Sequence, residues 1–401
     1  MNTNERIILY LLAAINFTNI MDFMIMMPLG PQLMRLMQIS PQQFSILVSA
    51  YTFSAFGSGL MASLFVDKYD RKQVLMILYV GFIIGTFLCG LANTYILLLL
   101  ARIFTGLFGG ILSATILSIV GDIIPMERRA HAMGIVMAAF SIASVLGVPF
   151  GLYLANIFGW QSPFVFLAVL ALPILFLVYK YLPAVNQHLA QKEHTATNPF
   201  ITIKQILVDR NQRKALFLSM IMMIGHFSII PFISPYMVAN VGFSENQLQY
   251  IYLVGGLLTV FTSPFIGKLA DRKGKKKIFI LFALLCILPI LAITNLPPIP
   301  VYWALAIGGV FFIFTGGRMI PLQAMVTGAV NPKLRGSFMS INSSVQHLMA
   351  GMGSFIAGLI VSKNNNGQLI HYNYVGLLAV CMSIVAVLIS LKLTAHDGSK
   401  Y

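Results

Sequence analysis

Long apolar segments alternate with short polar ones along the whole chain of 401 residues. The apolar segments are roughly 20 residues long, the length of helix that crosses a hydrocarbon core of about 30 Å. This pattern predicts an all-α membrane protein with twelve transmembrane helices near residues 7–29, 44–66, 73–92, 95–122, 130–155, 163–182, 215–239, 247–269, 278–295, 301–328, 337–362 and 372–393.

Composition and charge fit a protein embedded in a lipid bilayer. Only 9% of the residues are charged and 58% are hydrophobic, whereas about 25% are charged in a typical soluble protein. The net charge of +15 would suggest nucleic acid as a partner of a soluble protein. Here 22 of the 26 Lys and Arg residues fall on the cytoplasmic side if the N-terminus is cytoplasmic, as the positive-inside rule requires. We therefore expect no nucleic-acid partner, and a multi-pass protein of the plasma membrane (the inner membrane in a bacterium) with both termini cytoplasmic.

An internal repeat divides the chain into two related halves. The polar stretch Asp67–Lys72 returns 204 positions later as Asp271–Lys277, and each copy lies between two long apolar segments. The same offset pairs Phe23 with Phe227, Ile25 with Ile229, Pro31 with Pro235, Ser40 with Ser244 and Gln43 with Gln247. The predicted organisation is an N-terminal half over 1–182, a polar cytoplasmic linker over 183–214 and a C-terminal half over 215–401.

The sequence contains no pattern typical of an enzyme. Cys89, Cys286 and Cys381 lie inside apolar segments at unrelated spacings, which favours neither a disulfide framework nor a metal site. We find no H-E-x-x-H motif, no G-x-S-x-G motif and no nucleotide-binding loop. We expect no catalytic activity, no cofactor and no metal.

Asp22 is the first candidate for a proton-binding site. Of the eleven acidic residues, it alone lies well inside a predicted span, where an ionised side chain costs about 2.5–3.5 kcal/mol on insertion scales. Arg102 lies about as far from the outer end of its own span, roughly 10–12 Å deep at 1.5 Å per residue, so the two side chains could meet. Asp22 would then either carry a transported proton or remain a structural carboxylate paired with Arg102.

Further polar residues of the spans are candidates for proton coupling or for a substrate cavity. The repeat offset places His226 at the position that matches Asp22, where it either shares a proton relay or is a buried histidine satisfied between helices. Arg318 lies in the tenth span, and two arginines against one aspartate favour a neutral polar or anionic substrate, unless both arginines hold helices through backbone carbonyls. The candidate substrate cavity comprises Asn19, Arg318, Gln323, Gln346 and His347.

These motifs resemble those of the major facilitator superfamily over nearly the whole chain. Gly267–Lys275 resembles the family's G-x-L-A-D-R-x-G-R-K loop, and Asp67–Lys72 resembles it with Ser63 and Asp70 in place of two glycines. Arg102 followed by Gly106 is similar to the fourth-span motif of drug/proton antiporters. Gly147, Pro149 and Gly151, which we expect to pack and bend the fifth span, resemble the antiporter motif or, with Val148 inserted, its form in the sugar- and drug-efflux branch.

The resemblance implies two pseudo-symmetric six-helix bundles that rock about a central cavity lined by spans 1, 4, 7 and 10. It implies a proton-coupled secondary transporter that exports a small amphipathic organic compound or drug, with the substrate, protons and the lipid bilayer as partners, acting as a monomer. Proton-coupled uptake and efflux of sugars or organic anions are the alternatives within transporters, and a non-transporting receptor or scaffold is the alternative outside them.

The resemblance also implies a cytoplasmic gate formed by Asp67, Arg71 and Asp122, with Asp271 as the repeat of Asp67. The other interpretation is a solvated loop that only sets topology. The second half has no acid at the position that matches Asp122, so we expect the gate to be asymmetric.

We predict that Asp67→Asn impairs transport while folding stays intact, because a gate residue in the loop between two spans contributes to the transport cycle and not to the apolar core. The transport rate and the yield of monodisperse protein measure the two effects separately. Wild-type turnover in this variant would contradict the role of Asp67 as a gate.

Overall fold

The computed structural model describes residues 3–65, 68–186, 206, 208–331 and 335–395. Asp67 and most of the predicted linker lie outside these residues. In chain order the helices are α1 Thr3–Ile25, α2 Gly30–Leu36, α3 Pro41–Phe65, α4 Arg71–Leu91, α5 Tyr95–Ile123, α6 Met126–Ile142, α7 Val148–Phe158, α8 Ser162–Tyr181, α9 Arg210–Tyr236, α10 Leu248–Lys273, α11 Lys275–Leu285, α12 Ile287–Thr294, α13 Val301–Gly328, α14 Arg335–Ile360 and α15 Tyr372–Leu391.

The prediction of an all-α membrane protein is confirmed. Within the described residues, eleven helical segments are long and apolar enough to cross a membrane. The predicted eleventh span is α14, which is not among them because it carries several polar residues, including Asn342, Gln346 and His347. A small antiparallel hairpin that the sequence did not indicate precedes α15, with β1 at Ser362–Lys363 and β2 at Leu369–Ile370.

Two compact units make up the chain. Unit 1 comprises Met1–Met26 and Ala50–Pro199, and unit 2 comprises Met27–Ser49 and Phe200–Tyr401. In both units the helices bury one apolar side against their neighbours and expose large apolar side chains on the other, for example Phe158 in unit 1 and Phe261 in unit 2. A helix that is apolar all round suits a lipid environment.

Close packing of α5 positions the polar residues of unit 1. Gly85 on α4 lies against the backbone of Thr105, and Gly106 lies against the backbone of Tyr51 and the hydroxyl of Ser54 on α3. Small residues at such contacts let helix backbones approach each other in a membrane. Helix α1 packs against α6 and α8, and its buried side chains Leu9, Leu12 and Ile15 enter the apolar core of the unit.

The predicted fifth span is interrupted by one wide turn. Helices α6 and α7 are joined by a π-helical turn at Ala143–Gly147, directly before Pro149. Proline has no N–H and its ring clashes with the preceding turn, so helices widen or bend next to it. Gly147 and Gly151 then lie against Met21 and Ile25 of α1.

In unit 2, α9 packs against α14 and α15, and α13 packs against α10 and α11. The segment Met27–Ser49 belongs to this unit. Gly30 packs so closely against Pro235 that a Cβ atom at position 30 would lie 2.8 Å from the proline ring. Ser354 Oγ donates to the carbonyl of Ser45 at 3.4 Å. Arg35 forms a bidentate ion pair with Glu245, with distances of 3.1 Å from Nε and 2.9 Å from Nη2. Together these contacts fix α2 and the start of α3 on unit 2.

The repeat extends to the ends of the helices. The backbone N–H of Ser40 donates to Gln43 Oε1 at 2.9 Å, and the N–H of Ser244 donates to Gln247 Oε1 at 3.0 Å. Both are capping boxes, which satisfy free N–H groups at a helix start. Helices α4 and α11 begin at Arg71 and Lys275, which the repeat offset also pairs.

We predict that Gly106→Ala lowers the free energy of unfolding by about 1–3 kcal/mol, because the added methyl group meets the Tyr51 backbone and Ser54. Thermal or denaturant unfolding of the purified protein measures the change. Gly121→Ala on the same helix is the matched control, since a methyl group there meets nothing within 4 Å, and it should be neutral or slightly stabilising. Equal effects of the two substitutions would contradict the importance of the Gly106 contact.

Candidate functional site

The candidate site of unit 1 is a buried ion pair between α1 and α5. Arg102 Nη1 lies 2.7 Å from Asp22 Oδ2, and both side chains are 0% exposed. Thr86 on α4 donates its hydroxyl to Asp22 Oδ1 at 3.1 Å. Three helices therefore converge on the Asp22 carboxylate. Arg102 balances its negative charge, and Thr86 donates a hydrogen bond to it.

An aromatic residue of α3 completes the surroundings of the pair. The Arg102 guanidinium lies over the Tyr51 ring, 4.6 Å from its centroid, an arrangement in which a cation is attracted by the ring face. The Tyr51 hydroxyl donates to Asn19 Oδ1 at 3.0 Å, and Asn19 Nδ2 donates to the Gly109 carbonyl at 3.2 Å. The side chain of Asn19, three residues before Asp22, is thus held by α3 and α5.

A chain of neutral polar groups continues from Asn19 along α1. Ser113 Oγ donates to Asn16 Oδ1 at 2.9 Å, and Asn16 Nδ2 donates to the Val136 carbonyl at 3.2 Å. Asn19 Nδ2 lies 3.5 Å from Ser113 Oγ. The buried Asp22–Arg102 pair of unit 1 is therefore joined through hydrogen bonds and a ring contact to uncharged donors and acceptors.

The structure places the candidates of unit 2 on three different helices. Arg318 on α13 is 1% exposed, and its Nη1 donates to Ser383 Oγ on α15 at 2.9 Å. His226 on α9 stands edge-to-face against Phe227, and its Nδ1 is buried without a hydrogen-bond partner. Arg318 and His226 share no hydrogen bond among the described residues.

The other candidates of unit 2 lie elsewhere. Gln346 and His347 are half-buried on α14. Gln323 is exposed on α13 and lines a pocket of about 450 Å³ together with Lys275, Thr327 and Arg335.

The gate candidates are brought together in part. Arg71 Nε, at the start of α4, lies 2.7 Å from Asp122 Oδ2, in the last turn of α5. Asp271 is exposed in the last turn of α10. Val326 occupies the position that matches Asp122, so unit 2 has no equivalent of the Arg71–Asp122 ion pair.

Sequence reasoning missed Tyr51, Thr86, Ser113 and Ser383. Each is a polar residue inside an apolar segment, and this signal alone could have drawn attention to them. It also missed the Arg35–Glu245 ion pair of unit 2, which borders a groove of about 810 Å³ lined also by Gln38, Gln42 and Lys363.

A bundle of lipid-facing helices with charged and polar groups buried in its spans defines a polytopic membrane protein of the transporter class, because intramembrane charges typically mark substrate or ion pathways. The chain belongs to the Major Facilitator Superfamily, whose family model matches residues 12–225 and 215–400. It is a multi-pass membrane transporter and not an enzyme.

Relatives and solved structures agree with this assignment. The MFS-type transporter YceJ of Bacillus subtilis is 24% identical over 345 residues, which cover 86% of this chain and 87% of YceJ. A probable sugar efflux transporter of Helicobacter pylori strain J99 is 28% identical over 246 residues, 61% of this chain and 60% of that protein. The fold matches an inward-facing, occupied crystal structure of a bacterial homologue of the human lysosomal transporter Spinster, with a TM-score of 0.76 at 16% identity over 98% of this chain and 97% of that one. It also matches the nucleoside transporter NupG, with a TM-score of 0.75 at 14% identity over 97% and 99%.

We predict that Arg102→Met lowers the free energy of unfolding by about 3–5 kcal/mol, because it leaves the Asp22 carboxyl buried without its cation. The double variant Asp22→Asn/Arg102→Met should lose less unfolding free energy than Arg102→Met alone, because no buried carboxylate is left without a cation. A double-mutant cycle of unfolding free energies measures this coupling. Purely additive losses would contradict an energetic coupling of the two residues.

Proposed function

We propose that the protein is a proton-coupled secondary transporter that exports a small amphipathic organic compound by alternating access. The observation that carries the proposal is the fully buried Asp22–Arg102 pair, because Asp22 is the one acidic residue well inside a span. We place the protein in the plasma membrane as a monomer with both termini cytoplasmic, on the basis of the loop charges.

The pair supports proton coupling through two opposing effects on one carboxyl group. Removal from water favours the neutral form of an acid, and a neighbouring guanidinium favours the charged form. In the present structure Arg102 Nη1 and Thr86 both bond the carboxylate. A rearrangement that separates Arg102 from Asp22 would leave a buried carboxylate without its cation, and the group would then bind a proton from the side to which it opens.

The surroundings of the pair support such a rearrangement. Arg102 is held by the Tyr51 ring and by the carboxylate and backbone carbonyl of Asp22, while its Nε and Nη2 atoms have no hydrogen-bond partner among the described residues. Tyr51 is in turn bonded to Asn19. A substrate that displaces Tyr51 or Asn19 would therefore change the contacts of Arg102, and proton binding would be linked to substrate binding.

Charges at the ends of the helices support a gate on the cytoplasmic side. The Arg71–Asp122 ion pair joins the start of α4 to the end of α5, and we propose that Asp67 and Asp271 complete the gate in the two halves. Because only unit 1 carries this ion pair, the gate would be asymmetric.

Efflux of a sugar is the second candidate, because a probable sugar efflux transporter is 28% identical over 61% of this chain. The hydrogen-bonded series of Asn19, Ser113 and Asn16 in unit 1 offers neutral donors and acceptors of the kind that bind hydroxyl groups. The direction in which a substrate moves under an imposed pH gradient separates export from uptake, and failure to move any substrate would favour a receptor or scaffold.

We predict that Asp22→Asn abolishes substrate-dependent proton movement in proteoliposomes, because the amide cannot bind and release a proton. Hoechst 33342, lactose and gluconate serve as probes of an amphipathic cation, a sugar and an organic anion, and a pH-sensitive dye inside the vesicles reports proton flux. Thr86→Val is the matched control: it removes a hydrogen bond to Asp22 but keeps the titratable group, so it should keep coupling at an altered rate. Wild-type proton flux in Asp22→Asn would refute the proton site.

A further inference from the structure

Among the described residues, the buried guanidinium of Arg318 in unit 2 has no acidic partner. Arg318 is 1% exposed in the middle of α13. The sequence of the second half has no Asp or Glu between Arg210 and Ser244, between Asn246 and Ala270, or between Arg272 and His396. Asp209 caps α9, Glu245 binds Arg35, and Asp271 is exposed at the end of α10. Within the residues that the structure describes, no carboxylate of unit 2 therefore balances the positive charge of Arg318.

The contacts of Arg318 differ from those of the other buried arginine. Arg102 is paired with Asp22 at 2.7 Å, whereas Arg318 makes one hydrogen bond within the described chain, from Nη1 to the neutral hydroxyl of Ser383. Burial of a charge that is not paired is strongly unfavourable. A residue of this kind in a span points to a ligand that supplies the missing charge.

A purely structural role for Arg318 is less consistent with the contacts. Arg129 shows how an arginine of this chain holds backbone carbonyls, since it donates to Gly121 O at 2.6 Å and twice to Ile124 O at 3.4 Å. Arg318 makes no such bond to a carbonyl in the described residues. Its only partner, Ser383, is itself bonded to the carbonyl of Ala379.

The Arg318 guanidinium has a donor that no described residue uses. Its Nη1 donates to Ser383 Oγ, and its buried Nε has no hydrogen-bond partner among the described residues. The Nε and Nη2 atoms form the edge through which a guanidinium holds a carboxylate with two parallel hydrogen bonds. The buried Nδ1 of His226, another candidate of this unit, is also without a hydrogen-bond partner among the described residues.

We propose that Arg318 binds the anionic group of the transported compound, and that the substrate is a small organic acid with a single carboxylate. A single carboxylate matches the single fixed positive charge, since no other Lys or Arg lies well inside a span of the second half. The inference rests on the proposed transport function and adds the chemical class of the substrate. It assigns the substrate charge to unit 2 and the proton to unit 1.

The test compares Arg318→Gln and Arg318→Lys with the wild type, using glucuronate and benzoate against their neutral amides, glucuronamide and benzamide. Thermal stabilisation of the purified protein reports binding. The wild type should be stabilised by at least one acid and not by its amide, and Arg318→Gln should bind that acid about 10- to 100-fold more weakly. Arg318→Lys keeps the charge and should retain part of the affinity. Equal effects of acid and amide, or of the acids on wild type and Arg318→Gln, would overturn the inference.

A second measurement needs no ligand. Without a bound anion, Arg318→Gln should unfold at the same temperature as the wild type or at a higher one, because it removes an unbalanced buried charge. Arg102→Met is the contrasting variant and should unfold at a lower temperature. A comparable loss in Arg318→Gln would show that Arg318 is a structural brace and would overturn the anion site.

The outcomes for the proton mechanism remain separable. If Asp22→Asn loses proton movement but still binds the acid in an Arg318-dependent manner, both the proposed function and the anion site are supported. If the wild type moves no protons and yet binds the acid through Arg318, the proposed coupling fails and the anion site stands.

Discussion

The structure of unit 1 depends on one constraint: a carboxylate at membrane depth has to be neutralised within reach of its own side chain. Arg102 supplies the charge at 2.7 Å, and Thr86 and Tyr51 bring α4 and α3 into the same cluster. The glycines of α4 and α5 are part of this arrangement, because a side chain at Gly85 or Gly106 would hold the helices apart. Close packing and charge neutralisation therefore support each other.

The two halves of the internal repeat agree in some features and differ in others. Helix starts and capping boxes occupy matching positions in both halves, for example the helix starts at Arg71 and Lys275. The buried charges have not, since Asp22 is matched by His226 and Arg318 by Ala114. Every helix has free backbone groups at its ends that must be satisfied, so the capping residues recur in both halves. The buried charged residues have no charged counterpart in the other half. Among the described residues, the buried arginine of the first half is paired with an acid, and that of the second half is bonded only to a hydroxyl group.

The sequence was sufficient to predict the fold class and the contact of Asp22 with Arg102, because span length and depth are counted directly along the chain. The role of the polar α14 as a span stays a prediction. The sequence could not predict Tyr51 or Ser383 as partners of the arginines. The depth of a residue in the membrane does not reveal how its helix is rotated about its own axis. In this protein that rotation follows from the small residues that contact a neighbouring helix, such as Gly106 against α3. The Arg35–Glu245 ion pair could not be predicted either, because it joins two surface segments of unit 2 that are 210 positions apart in the sequence, and no periodicity reveals their packing.

The wide turn at Ala143–Gly147 acts as a one-residue insertion in an otherwise regular helix. Every side chain after it is turned by roughly 100° relative to an uninterrupted helix, which has 3.6 residues per turn. This offset brings the small surface of Gly147 and Gly151 against Met21 and Ile25 of α1. The wide turn therefore contributes to the register of α7, and with it to the packing around Met21 and Ile25, one turn or less from Asp22.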